Sequence, residues 1–183
     1  MDTNTDGCLT EGHLMLFGTI VHWMARYEVL IQRIIAHVTG SQSSDVMLLT
    51  RDLTLGEKRL ALLNLLRHRT VPHDQVDAIY GYLRIPETFR ALSDDILHST
   101  WAAGRSSSSI QPDWILRPKP TVKPVHGGAE GRAEDFQEDY DDQVEYSLDE
   151  LAETAKTLRE NYRLFFAYCR SIGMVGAGWE ETG

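Results

Sequence analysis

Eight apolar residues, Leu148, Leu151, Ala155, Leu158, Tyr162, Phe165, Cys169 and Ile172, are separated by steps of 3-4-3-4-3-4-3 without a break. A strand needs a period of two, and a helix with one buried side needs alternating steps of three and four, so this stretch predicts a helix with a bundle-type seam. Its ends are marked as well. Ser147 and Glu150 form a capping box, Asp149 and Glu150 complement the helix dipole, and Gly173 stops the run. A helix of this kind cannot bury its seam alone, so the rest of the chain must supply partner helices.

The strongest partner runs from about Glu11 to Thr39 and ends at Gly40. Leu14, Phe17, Val21, Met24, Ile31, Ile35 and Val38 form one stripe, and Leu16, Ile20, Trp23, Tyr27, Leu30 and Ile34 form a second beside it. Together they make an apolar arc roughly 140° wide on a helix about 42 Å long, enough to pack against several neighbours. One register position of the first stripe is occupied by Glu28, a carboxylate that needs a partner or solvent. Arg90 and His98 are the candidates for that partner. A short helix is expected over Ser44 to Thr50. Thr54 and Glu57 form a capping box for a helix with Leu55, Leu62, Leu65 and Leu66 on one face, ending before Pro72. Asp74 can cap another, with Val76, Ile79, Tyr80 and Leu83 inward. Pro86, placed at a first helical position, opens a segment that buries Phe89, Leu92 and Ile96.

From Ala102 to Tyr146 the helical pattern fails. Ser106 to Ser109 is a serine run, and Pro112, Pro118, Pro120 and Pro124 forbid a regular helix. Trp114 to Val125 reads as an edge hairpin or a polyproline-like arm carrying Arg117, Lys119 and Lys123. An acidic stretch follows. Glu130 to Glu153 holds 11 carboxylates against Arg132 alone, so of the net charge of −9 this segment carries −10 and the remainder +1. The global acidity is therefore no argument against an anionic ligand elsewhere in the chain. The stretch reads as a solvated linker, a nucleic-acid mimic or a mask over the Arg117/Lys119/Lys123 arm.

The expected architecture is an all-α antiparallel bundle of four to five helices with a long irregular insertion before the last helix. Residues 1–10 are a disordered tail, 11–101 the bundle core, 102–146 the insertion, 147–173 the closing helix of the same domain and 174–183 a tail. The apolar share of 42% and charged share of 25% suit a soluble globular chain. The first 13 residues carry Asp2, Asp6 and Glu11 and no Lys or Arg, the wrong sign for a secretory or mitochondrial leader. No run of about 18 uninterrupted apolar residues is present, so no membrane span is expected. Two cysteines, Cys8 and Cys169, make a disulfide framework improbable, and a cytoplasmic location is the default. Cys169 reads as a small buried hydrophobe.

Chemistry concentrates between residues 90 and 101. On a continued helix Arg90, Asp94 and His98 follow each other at i, i+4 and i+8, with Trp101 one turn further. Asp94 could orient His98 for general acid–base work, Arg90 could pair with Asp94 or hold a phosphate, and Trp101 could stack on a base or anchor a partner. The bland alternative is a solvated ion-pair ladder beside a tryptophan that covers the core. Asp94 and His98 are the one pair with helical ligand spacing, and two ligands do not make a metal site, so neither metal nor cofactor is expected. The chain carries no Walker loop, Gly-rich dinucleotide fingerprint or Ser-His-Asp arrangement.

The apolar-flanked Glu28, the helix start Leu53-Thr54-Leu55-Gly56-Glu57-Lys58 and the run to His98-Ser99-Thr100-Trp101 resemble the HEPN superfamily, in particular small bacterial members with an Arg-Asn-x-x-x-His-x-x-Trp signature. The resemblance covers roughly residues 11 to 101 and the closing helix. Many HEPN proteins are dimeric, metal-independent ribonucleases of toxin and defence systems whose Arg and His meet between protomers, and others are non-catalytic. Here His98 matches the histidine and Trp101 the tryptophan, but Ser93 stands on the arginine position and Asp94 on the asparagine position. The resemblance therefore implies a HEPN-like, non-catalytic homodimeric interaction protein of a toxin–antitoxin or defence system. Its interface would use the arc of helix 1 or Trp101, with a protein partner ahead of RNA. The alternative is a ribonuclease using His98, Asp94 and Arg90; on either reading Trp101, Glu28, Arg117, Lys119 and Lys123 are the candidate binding or interface residues.

Overall fold

The computed structural model describes residues 9–106, 108–115 and 144–176. Six helices occur among them: α1 (Glu11–Thr39), α2 (Ser43–Thr50), α3 (Leu55–His68), α4 (His73–Thr88), α5 (Arg90–His98) and α6 (Leu148–Ser171). The fold is an all-α bundle, and a small antiparallel sheet of order β1 (Ser99–Ala103), β2 (Ser109–Ile115), β3 (Tyr146–Ser147) is added to it.

α1 is the axis of the bundle. It packs along α6 and also touches α2, α3 and α5. The two predicted stripes are its buried side, where Ile20, Tyr27, Leu30, Ile31 and Ile34 have no exposed surface, while Leu14 at the start remains 56% exposed. By length and composition α1 also satisfies the requirement for a membrane span, with a mean hydropathy of 1.3, because its arc must cover several neighbours at once. The α6 seam meets it through Leu151, Ala155, Leu158, Tyr162, Phe165 and Cys169, all buried. Tyr27 lies edge-on to Tyr162 with ring centroids 5.4 Å apart, and Tyr82 of α4 stacks on Phe165 at 5.5 Å.

The caps follow the sequence signals. Thr54 with Glu57 and Ser147 with Glu150 form complete capping boxes, and Gly40 closes α1 at φ 70°, a left-handed conformation that glycine adopts without strain. α1 itself opens on Thr10, with His13 in the reciprocal position: Thr10 N–H donates to His13 Nδ1 at 3.2 Å.

Four expectations change. Pro86 does not begin a helix but lies inside α4, and the chain breaks at Phe89 instead. The proline leaves the Tyr82 carbonyl without its usual amide donor, and Asn161 Nδ2 of α6 supplies one at 2.9 Å, so the break moves downstream. Tyr80 faces outward, 44% exposed, with the Arg59 guanidinium 6.0 Å above its ring. The insertion is not irregular from its first residue: Trp101 to Ala103 pair with Ile110 to Pro112, and Ser109 and Ile110 pair with Ser147 and Tyr146. Ile110, fully buried, ties this sheet to the core. Finally, the described parts of the two expected tails belong to the fold, and residues 1–8 and 177–183 lie outside the described residues. Leu9 packs on the core, and Met174 and Val175 are buried, with Met174 N–H closing onto the Cys169 carbonyl at 2.9 Å. The predicted arm with Arg117, Lys119 and Lys123, and the acidic residues before Val144, lie outside the described residues.

Candidate functional site

α5 runs nine residues and turns Leu92 and Ser93 inward, where both are buried. Ser93, the position that the resemblance assigns to an arginine, therefore faces the core. Five helical steps place it about 140° around the axis from His98. An arginine there would point away from the histidine, and in this chain a serine fills the space.

Arg90 and Asp94 do pair, Nε to Oδ2 at 3.8 Å, as their i, i+4 spacing requires. Arg90 also lies 3.6 Å from Glu87, and its charge helps hold the Glu57 carboxyl below the usual range, an effect owed first to the Thr54 backbone and side-chain hydrogen bonds. Three carboxylates thus surround one guanidinium. Gly56 makes the cluster compact, because a Cβ there would stand 3.4 Å from both Arg90 Nη1 and Glu87 Oε1.

His98 ends α5 and is exposed. It makes no hydrogen bond or ion pair with Asp94, which turns toward Arg90. Eight residues of helix separate Arg90 from His98 by about 12 Å along the axis, so one phosphate cannot touch both within one chain without Arg90 leaving its carboxylates.

Trp101 is not on the helix. α5 stops at His98, and Trp101 sits in β1 at a bulge opposite Pro112, which has no N–H to donate to the ladder. Its ring is 7% exposed and packs on Phe17 at 4.7 Å and Tyr146 at 6.0 Å. It is a core residue, so the reading of a stacking or docking ring is corrected. Tyr146 closes this corner by donating to Asp95 Oδ2 at 3.3 Å. Burial raises Asp95 above the usual carboxylate range, and burial together with the Asp95 charge pushes the Tyr146 hydroxyl up to about 12.

Glu28 meets neither Arg90 nor His98 but Lys58 of α3. Lys58 is 3% exposed, so Glu28 at the margin of the arc is the counter-ion that lets α3 bury an ammonium. Cys169 is a free buried thiol, and burial pushes it up to about 12. Among the described residues no three His, Cys, Asp or Glu side chains converge as a metal site.

Two open grooves of about 500 Å³ flank α6. One, against α4 and α5, is bordered by Glu145, Glu150 and Glu153 and, among the described residues, by no cation. The other, against α1, is bordered by His22, Lys156, Arg159 and Arg163 around Leu16 and Trp23, and among the described residues by no carboxylate. Arg26, one turn along α1 from His22, lies 5.0 Å over the Tyr162 ring and 5.7 Å over Trp23. No motif in the sequence points to this second groove, although Lys156, Arg159 and Arg163 at i, i+3 and i+7 and His22 with Arg26 at i, i+4 are legible as two basic helix faces. The chain matches no protein-family model, no curated protein and no solved structure.

Proposed function

We propose that the chain is a HEPN-like, non-catalytic interaction protein acting as a cytoplasmic homodimer in a toxin–antitoxin or defence setting. The observation that carries the non-catalytic half is the α5 geometry: Ser93 faces the core, Arg90 is enclosed by Glu57, Glu87 and Asp94, and His98 is left without its orienting carboxylate. A phosphate brought to Arg90 would have to compete with those carboxylates for the guanidinium.

The interaction half rests on α2. Met47, Leu48 and Leu49 are consecutive and 45, 66 and 80% exposed, while Val46 and Thr50 hold the helix to the core. Three successive exposed apolar residues on one short helix are costly in water unless a partner covers them. A second copy of the chain is the partner that the reading assigns to them.

Purified protein incubated with single-stranded RNA in EDTA is expected to leave the RNA intact, and light scattering is expected to give a dimer that Leu48→Glu/Leu49→Glu converts to a monomer. Cleavage in EDTA that His98→Ala abolishes would instead make the chain a metal-independent ribonuclease. A monomer at micromolar concentration would remove the dimer.

A further inference from the structure

The groove between α1 and α6 has one sign of charge, and the chain contains a segment of the opposite sign next to it in sequence. Glu130 to Asp142 holds seven carboxylates against Arg132. We propose that the α1–α6 groove is the docking surface for this acidic stretch of its own chain.

Three observations carry the assignment. The first is charge. Of the two grooves along α6, the one bordered by Glu145, Glu150 and Glu153 repels such a segment, and the one bordered by Lys156, Arg159 and Arg163 attracts it. Lys156 is already 3.5 Å from Glu153, so the attraction falls on Arg159 and on the net positive charge of the groove rather than on any one ion pair. The second is reach. The segment's C-terminal end is fixed, because Glu145 accepts from the Arg105 N–H at 2.9 Å and the Ser109 hydroxyl at 3.0 Å, and α6 starts three residues later. From Ser147 to Arg163 the helix rises about 24 Å, whereas the fourteen residues from Gln143 back to Glu130 span up to about 46 Å. The third is chemistry. Phe136 and Tyr140 interrupt the carboxylates, matching a groove that offers Leu16 and Trp23 between its cations. Tethering makes the contact intramolecular, at an effective concentration on the order of millimolar for a short linker, so weak individual ion pairs suffice. Any diffusible polyanion that uses this groove must first displace the chain's own segment. The inference does not depend on whether α5 is catalytic.

Carbodiimide couples an amine to a carboxylate in contact with it, and Lys156 is the one amine among the described residues bordering the groove. The reaction is run on the full chain as an equal mixture of unlabelled and ¹⁵N-labelled protein. The Lys156–Glu153 product serves as the internal control of reactivity. Same-label cross-links from Lys156 to Glu130–Asp142 are expected; mixed-label products only, which would mean a second copy, or no product to the segment overturn the proposal. A complementary variant converts the seven carboxylates to their amides and alters no described residue; its far-UV circular dichroism is matched to wild type before use. A synthetic peptide of residues 130–142 is expected to bind that variant at least roughly tenfold more tightly than wild type, and to lose this binding in Arg159→Ala/Arg163→Ala. Equal binding to both chains, or none to the neutralised chain, overturns it. A single-stranded oligonucleotide that binds wild type as tightly as the neutralised chain also overturns it, since the groove would then be open.

Discussion

Asn161→Ala tests how α4 tolerates a proline in its interior. Pro86 offers no N–H to the Tyr82 carbonyl four residues earlier, and Asn161 Nδ2 donates to that carbonyl at 2.9 Å and to the Tyr27 hydroxyl oxygen at 2.6 Å. One amide group therefore ties α6 to α4 and α1. Truncation leaves the Tyr82 carbonyl unpaired, at about 1–3 kcal/mol, and removes the bond to Tyr27, at about 0.5–1.5 kcal/mol. Tyr27 keeps its own donation to the Leu158 carbonyl at 3.2 Å, and Asn161 is only part-buried, so water can enter and the expected total is near the lower end, about 2 kcal/mol. Pro86→Ala restores the missing N–H, and in that background the same truncation should cost about 1 kcal/mol, because the carbonyl is then satisfied within its own helix. The effects of Pro86→Ala on the unfolded chain and on packing appear on both sides of the cycle and cancel. Urea unfolding followed by far-UV circular dichroism, with equal slopes across the four proteins, gives the coupling. Additivity within about 0.5 kcal/mol would refute the idea that Asn161 replaces the proline's missing donor.

Glu28→Gln leaves the buried Lys58 ammonium without its counter-ion and is expected to cost roughly 1–3 kcal/mol, less than for a wholly buried pair because Glu28 reaches solvent. Adding Lys58→Met should recover most of it in thermal unfolding, and a further loss would sink the ion-pair reading. The Tyr146 hydroxyl titrates near 12 in the fold against an ordinary value of 10.0, so its contribution to stability is complete below pH 10 and is lost as pH rises through 12. Burial raises Tyr27 in the same direction. Urea midpoints should therefore fall above pH 10 in wild type and less steeply in Tyr146→Phe; parallel curves would contradict this. In a Cys8→Ser background the raised Cys169 thiol should ignore an aromatic disulfide reagent at pH 8 and react once unfolded, and rapid labelling of the native protein would place Cys169 at the surface.

The helices that carry the bundle were legible because their signals are local. The 3-4 steps of α6 and the twin stripes of α1 give the buried faces, and Thr54/Glu57 and Ser147/Glu150 give the starts. What failed depended on distant partners. Pro86 looks like a helix start until Asn161, 75 residues later, supplies the donor that keeps α4 whole. Trp101 continues the spacing of α5 on paper, yet its ring is drawn to Phe17 and Tyr146, and a β-bulge opposite Pro112 delivers it there. His13 in place of the usual Glu at the third helical position hid a capping box, since an imidazole nitrogen can accept an N–H as a carboxylate does.

The same division governs the site. Spacing along a helix establishes which residues share a face, so the Arg90–Asp94 pair was legible and the inward position of Ser93 could have been counted from Leu92. Spacing says nothing about competition from other helices, and here competition decides the chemistry. Asp94 lies in reach of His98 by register but turns to Arg90, which Glu87 and the Glu57 charge also claim. Glu28, flagged as the oddity of α1, is claimed by Lys58 from α3. Glu28, Glu87 and Asp94 thus go to cations and Asp95 takes the Tyr146 hydroxyl, so none of these carboxylates is left to orient the histidine. The cations that border a groove without carboxylates lie on the opposite side of α6, outside any motif, because a binding face made from two helices has no contiguous sequence to announce it. The acidic stretch proposed to dock there is legible from composition alone, whereas the groove exists only once α1 and α6 are packed together.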